Sequence, residues 1–448
     1  MSNLNPLILE NWTVTKVDQS PGLTVISAEY DLAPEACPKC GSVTKFEKKA
    51  RAVQTFMDTP AWGGRVEIHV RRVRYQCPEC RGTFMQPLPD MALGYELTER
   101  CAIYVADQGI QGVYAAVGRT VGVGEKTVRK LANAYGTKAL EARGITAPVV
   151  LGIDELGLLG PRRSIFTNVG EREVIDLVPD MDQKTIRRWL WALPNRDRVQ
   201  IVTIDMWDAY RRAAYDTLPN AAVIVDRWHI QKKGTEALDK VRNRLAKAAK
   251  SKKARTEALR GRRLLMARHK RLRAKAALLL DGWLANTPIL KAAYWAKEGF
   301  FDVWEATDRT EALARYEAWR NSFDPLLVPE FLATIATVTE WETEIFRYFD
   351  DRFTNAYTEA ANGLIKKANR AGNGYSFEGI RMKALLRKTI YPLELFVCES
   401  CLAQLHNSQR AKFSTFTDAP DGVARKDVDF CSACYSRPTL EAWLSHRL

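Results

Sequence analysis

The apolar positions of this chain follow two rhythms. Between Val149 and Val225 they form short, nearly continuous runs rich in β-branched residues, such as Val149, Val150, Leu151 and Ile153, then Val199, Ile201, Val202 and Ile204. Runs of that length without polar alternation predict strands covered on both faces of an α/β sheet. The pattern gives strands over 149–153, 164–169, 172–178, 199–204 and 222–225, with helices over 182–193 and 207–217. From about residue 231 to 345 the apolar spacing turns helical, among many Lys, Arg, Ala, Leu and Trp, so a helical insertion interrupts the sheet. Upstream, residues 95–136 also read as helices.

Two of the apolar runs end in acids, Asp154-Glu155 and Asp205, at the strand ends where α/β sheets collect ligands. A third acid stands in TNAYTEAANGLIK, where Glu359, Asn362, Lys366 and Arg370 follow at spacings of three and four and share a helix face. Any one such Asp is an ordinary turn or cap residue. Three converging carboxylates instead offer hard oxygen ligands for two divalent cations, Mg²⁺ or Mn²⁺, the usual device for in-line attack on a phosphodiester. Glu155 alternates to the other side of its strand and reads as structural.

Composition sharpens this picture. The 448 residues exceed one domain and are 46% hydrophobic, enough for a substantial core. The net charge of +14 is concentrated: residues 231–275 hold 18 Lys or Arg against 3 acids, a local +15. So one-sided a segment predicts contact with a DNA backbone, through Lys247, Lys250, Lys252, Lys253 and Arg255 among others. No apolar run approaches a membrane span, and the N-terminal MSNLNPLILENW has no basic region or apolar core, so a soluble cytoplasmic protein is expected. Most tryptophans of the insertion (Trp283, Trp295, Trp304, Trp319, Trp341) read as core.

Eight of nine cysteines form four Cys-x-x-Cys pairs. Cys37-Pro38-Lys39-Cys40-Gly41 and Cys77-Pro78-Glu79-Cys80 are matched knuckles, which favour a closed tetrahedral Zn²⁺ site over a redox pair. The spacer between them contains Val66–Val70 and Val73–Tyr75, strand-like stretches that predict a β-ribbon. Cys398/Cys401 and Cys431/Cys434 lack the Pro and Gly; a second zinc site and free buried thiols both fit them. Residues 117–136, VGRTVGVGEKTVRKLANAYG, resemble a helix-turn-helix whose second helix would offer Lys126, Arg129 and Lys130 to DNA.

The strand order, three in succession and then alternation with helices, is that of an RNase H-like core. Together with the double Cys-Pro-x-Cys module, Gly152-Ile153-Asp154-Glu155, Val202-Thr203-Ile204-Asp205-Met206, Val225-Asp226-Arg227-Trp228-His229 and Thr354-Asn355 through Glu359 and Arg370 to Gly374-Tyr375, it resembles the ISL3 family of insertion-sequence transposases, within the DDE group. The resemblance spans roughly residues 30–395 and implies a multidomain α/β chain. Residues 1–90 would be a zinc-binding β-ribbon domain, 91–145 a helix-turn-helix domain, 146–230 and 346–395 two parts of the catalytic core, 231–345 its helical insertion, and 396–448 a tail. It implies an Asp154, Asp205, Glu359 triad holding two Mg²⁺ or Mn²⁺ ions. That triad would cut and join double-stranded DNA at the element's inverted repeats, in a homodimer or larger assembly near the bacterial nucleoid. Asp226 and His229 form an Asp-x-x-His motif known near the active site of related enzymes; a helix cap or core histidine is the competing reading of His229. Asn362, Lys366 and Arg370 are candidates for active-site support. A non-catalytic DNA-binding regulator derived from such an enzyme, and a nuclease that cuts without joining, are the alternatives.

Overall fold

The computed structural model describes residues 7–252, 255–256, 261–372 and 374–387, and the backbone of short strands between Phe396 and Cys431. It divides into two compact units, Met1–Gly144 with Ala368–Leu448, and Ile145–Lys367.

The first unit opens with a five-stranded sheet of β1 (Trp12–Ser20), β2 (Leu23–Tyr30), β3 (Glu47–Ala61), β4 (Gly64–Gln76) and β5 (Thr83–Met85), ordered β1-β2-β4-β3 with β5 on β4. β3 and β4 form the ribbon expected between the first two cysteine pairs. Their hairpin turns on Trp62 (φ 49°) and Gly63 (φ 78°), two positive values that match the right-handed twist of the ribbon and that glycine adopts without strain. Val66, Ile68 and Val70 alternate inward from β4 to meet Ile26, Ala28 and Phe56, each burial worth about 1.5–3 kcal/mol for the larger side chains. β1 was not foreseen, because beyond Trp12 its residues are largely exposed and polar, leaving no apolar signal.

Three helices follow, α1 (Glu99–Gln111), α2 (Tyr114–Val121) and α3 (Glu125–Arg143). Thr98 caps α1 through its hydroxyl, which accepts from the Cys101 N–H at 3.2 Å. The α2–α3 turn needs glycine twice. Gly122 has φ +91°, and a Cβ on Gly118 would sit 2.6 Å from the Val123 carbonyl oxygen. A helix from the far end of the chain, Phe377–Leu386, packs on α1 and α3. Its buried Lys383 donates to the carbonyls of Gly109, Ile110 (3.3 Å) and Gly112 (2.7 Å), closing the C-terminal end of α1.

In the second unit β6 (Val150–Gly157), β7 (Arg162–Asn168), β8 (Glu173–Val178), α4 (Gln183–Ala192), β9 (Ile201–Ile204), α5 (Asp208–Thr217) and β10 (Ala222–Val225) follow the expected sequence. The sheet order is β10-β9-β6-β7-β8; β10, β9 and β6 are parallel, and β7 runs antiparallel to its neighbours. Boundaries shift by one or two residues at several elements and most at β6, which runs on to Gly157 because its pairing with β7 continues to Arg162, so Asp154 lies inside a strand rather than at its end.

α6 (Arg227–Ala248) leaves β10 directly and opens the helical region, with further helices at Ala274–Ala285, Pro288–Asp302, Arg309–Arg320 and Leu332–Glu340. Trp304, Trp319 and Trp341 are core residues there, whereas Trp295 is half exposed. The +15 counted along residues 231–275 is partly met from elsewhere in the fold: Arg244 pairs with Glu330 at 2.7 Å, and Arg268 with Glu298 and Glu305. Lys247, Lys250, Lys252 and Arg255 are exposed; Lys253 lies outside the described residues. No helix among the described residues is long and apolar enough to cross a membrane.

Candidate active site and zinc centre

Strand register builds the acidic cluster. Ile153 on β6 pairs with Ile204 on β9, and Ile204 with Val225 on β10. The next residues of those three parallel strands, Asp154, Asp205 and Asp226, therefore stand side by side, about 4.8 Å from strand to strand. They have different partners. Asp154 accepts from the Glu155 N–H and from the Asn362 amide, both at 2.7 Å. Asp226 spends both oxygens on backbone N–H groups, of Trp228 at 2.7 Å and Asn355 at 2.6 Å. It caps α6 and ties down the residue before the helix Ala356–Gly372. Asp205 Oδ1 is buried without a hydrogen-bond partner.

Glu359 reaches this edge because its helix is pinned onto the sheet. Fully buried Asn355 donates to the Ile153 carbonyl and accepts from the Thr203 hydroxyl, each at 3.3 Å, and Thr358 shares a hydrogen bond of 2.7 Å with Thr167. The approach is so close that a Cβ on Gly152 would lie 2.5 Å from both the Thr167 and the Thr358 hydroxyl. His229, in the first turn of α6, stands between two acids: its Nε2 is 3.1 Å from Asp205 Oδ1 and 3.6 Å from Glu359 Oε1. Glu155 points elsewhere, to Arg162 at 2.9 Å. Lys366 is exposed, and its charge favours the ionised form of Asp154. Arg370 is exposed in the last turn of the same helix, beyond the boundary of this unit.

The electrostatics of the row are strained. Burial, then the charges of Asp154, Asp226 and Glu359, push the Asp205 carboxyl up to about 9. Burial also raises Asp154, although a hydrogen bond from Asp205 works in the other direction, so the two carboxyls titrate as a coupled pair. Glu359 is raised by burial and by the charges of Asp226 and Asp154. Burial lowers His229, against the pull of Asp226. Carboxylate oxygens are hard donors of the kind a divalent cation takes, and Asp205 Oδ1, buried and contacted only by the His229 ring, is the one buried oxygen of that kind here without a hydrogen bond.

The zinc centre is geometrically closed. Cys37, Cys40, Cys77 and Cys80 bring all four sulfurs within 4.8 Å of one another, with Cys37 to Cys80 at 3.8 Å and Cys40 to Cys77 at 3.7 Å. A tetrahedron with Zn–S near 2.3 Å has edges of about 3.8 Å. Gly41 (φ +73°) lets the first knuckle turn, its N–H returning to the Cys37 carbonyl at 2.9 Å. Phe46, Tyr75 and Phe84 pack beside buried Cys37 and Cys77, while Cys40 and Cys80 face solvent. Among the described residues this is the one set of three or more His, Cys, Asp or Glu ligand atoms so close together. Cys398, Cys401 and Cys434 lie outside the described residues, and of Cys431 only the backbone is described. Lys126, Arg129 and Lys130 are exposed on α3, Arg129 pairing with Glu125 at 2.7 Å.

Of the residues that pin the Glu359 helix, Gly152, Thr203 and Asn355 stand in motifs quoted from the sequence but were given no such role, and Thr167 and Thr358 were given none either. Gly152 carried a readable signal, since an isolated glycine within a buried strand marks close approach of another backbone. The buried threonines carried none.

Comparison with known proteins gives the class first. A zinc-finger model described for the transposases IS204/IS1001/IS1096/IS1165 matches residues 33–80, and a transposase model of the ISL3 group matches residues 151–384, just over half of the 448 residues. The chain belongs to the ISL3 family of transposases. It is similar to the transposase for insertion sequence element IS1001 of Bordetella parapertussis, 26% identical over 350 residues that cover 76% of this chain and 85% of that one.

Proposed function

We propose that this transposase binds the terminal repeats of its element and cuts and joins DNA through Asp154, Asp205 and Glu359. The observation that carries the reading is the convergence at one sheet edge of adjacent-strand aspartates and a glutamate from a helix 154 residues beyond Asp205 (359 − 205), which is pinned there by Asn355 and Thr358. The strand order, with three parallel strands and an antiparallel pair, supports the RNase H-like assignment of this core. The α2–Gly122–α3 arrangement, with Lys126, Arg129 and Lys130 exposed, supports a helix-turn-helix.

Asp154, Asp205 and Glu359 would hold the divalent ions, Mg²⁺ or Mn²⁺, which supply an activated water or 3′-hydroxyl and a stabilised leaving oxygen. The protein's own share is positional. Asn362 orients Asp154, and Asp226 sets the start of the Glu359 helix through Asn355 N–H. His229 holds Asp205 and Glu359 at a fixed separation by lying between them.

The test is nicking and joining of a labelled element end in Mg²⁺, with a gel shift on the same DNA. Asp205→Asn keeps the side chain's size and removes its charge, so cleavage should fall by at least about 1,000-fold, the scale set by groups that act as a unit, while end binding persists. Cleavage surviving in Asp205→Asn would refute the assignment. Loss of binding in that variant would make Asp205 structural.

A further inference from the structure

α6 begins on the acid row, and its first turn fixes where each side chain goes. Asp226 caps the helix by accepting from the Trp228 N–H at 2.7 Å. Arg227 donates to the Tyr348 hydroxyl at 2.9 Å, and Ile230 is fully buried. His229 takes its place between Asp205 and Glu359. That leaves Trp228, which is 52% exposed.

The indole is tied to the site all the same. It meets the His229 imidazole edge to face, with ring centroids 4.8 Å apart, so one imidazole's width separates it from the two acids that His229 touches. Lys232, one turn further along α6, holds its ammonium 5.2 Å from the indole centre and is only loosely paired, with Glu236 at 3.8 Å. An aromatic ring beside a cation is what single strands of nucleic acid are held by, the ring for bases and the charge for phosphates. Trp207 is about as exposed and also follows an acid by two residues, but it opens α5, on the reverse of the sheet. There the Tyr210 hydroxyl lies 3.4 Å from that of Ser164, whose neighbour Ile165 is the partner of Asp154. Trp228 thus offers an open π-face on the acids' own side.

We propose that Trp228 stacks on the base of the nucleotide that carries the reacting 3′-hydroxyl, the last nucleotide of a cut element end. The proposal rests on the reading of Asp154, Asp205 and Glu359 as the site of cutting and joining, and that reading chooses the occupant. A 3′-hydroxyl held by those carboxylates brings its own sugar and base with it, so this base lies within one nucleotide of the acids whatever path the rest of the duplex takes. Before cutting, its face is covered by the neighbouring base pair. A cut that frees the end uncovers that face, and an indole can replace the lost neighbour. Because every base has a π-face, the contact holds the end without reading its sequence.

Binding is measured by gel shift in Ca²⁺, which takes hard oxygen ligands as Mg²⁺ does. One duplex ends at the element's last base pair with a free 3′-hydroxyl; the other is identical but lacks the base of that 3′ nucleotide. Wild type should bind the abasic end about 5–150-fold more weakly, which is what stacking one base on an aromatic side chain is worth. Trp228→Ala should show that loss on the intact end and no further loss on the abasic one, while Trp228→Phe keeps most of the wild-type discrimination. Losses that multiply would overturn the proposal, since base and indole would then act separately, as they would if Trp228 only supported His229. So would unchanged affinity in Trp228→Ala, or a wild type indifferent to the missing base, a result that needs no variant to fold. These titrations involve no cleavage: an active Asp205→Asn removes the triad, whereas multiplying losses remove Trp228 alone.

Discussion

Asp205 is the residue with most at stake, since burial and three neighbouring acids hold its carboxyl near 9, against about 4 in an unfolded chain. A folded value above the unfolded one means that the native state binds the extra proton, so this contribution to stability is complete below about pH 4 and is lost as pH rises toward 9. In metal-free protein the melting temperature of the wild type should therefore fall, relative to Asp205→Asn, between pH 5 and pH 9. Added Mg²⁺ should stabilise the wild type more at the alkaline end, because it competes with that proton. Calorimetric melts of both proteins across the range check this. Asp154, Asp205 and Glu359 were legible in the sequence, two by their place after apolar runs and the third by helical spacing. The dual commitment of Asp226 to backbone N–H groups was not, because its second partner, Asn355, lies 129 residues away.

Elements were more legible than their junctions. Strands β6 to β10 could be read because burial on both faces leaves unbroken apolar runs, whereas β1 is largely polar and exposed, and β2 buries Thr24, Ile26 and Ala28, of which only Ile26 is large and apolar, so both escaped notice. How tightly one element sits on another was hidden, except at Gly152. Gly152→Val should force the Glu359 helix away from β6, costing about 1–3 kcal/mol as overpacking does and reducing cleavage while end binding stays; a melt and the nicking assay together report it. In the first unit, Cys77→Ser removes one of four thiolates. It should abolish zinc binding, measured by metal content, and unfold residues 30–90 in part, because metal binding supplies much of the folding free energy of such modules.

At the scale of the whole chain, charge counting along the sequence located the basic segment but overstated its free charge, because Glu298, Glu305 and Glu330 arrive from elsewhere in the fold. Neutralising exposed Lys247, Lys250, Lys252 and Arg255 should weaken binding to all duplexes alike and flatten the salt dependence by up to about 3.6 in slope; an unchanged slope would mean that they face only solvent. The chain's course through its two units has a further consequence, for the order of events on the ribosome. The second unit lacks Glu359 until its pinned helix is made, and the first lacks Lys383 and its helix until shortly afterwards. At about 5–20 residues per second, the 154 residues from Asp205 to Glu359 take roughly 8–30 s to synthesise, so a growing chain stays unfinished in both units and then completes both almost together. On the triad proposed above, a polypeptide broken off near residue 350 would lack its glutamate, and its first unit would lack the helix that carries Lys383.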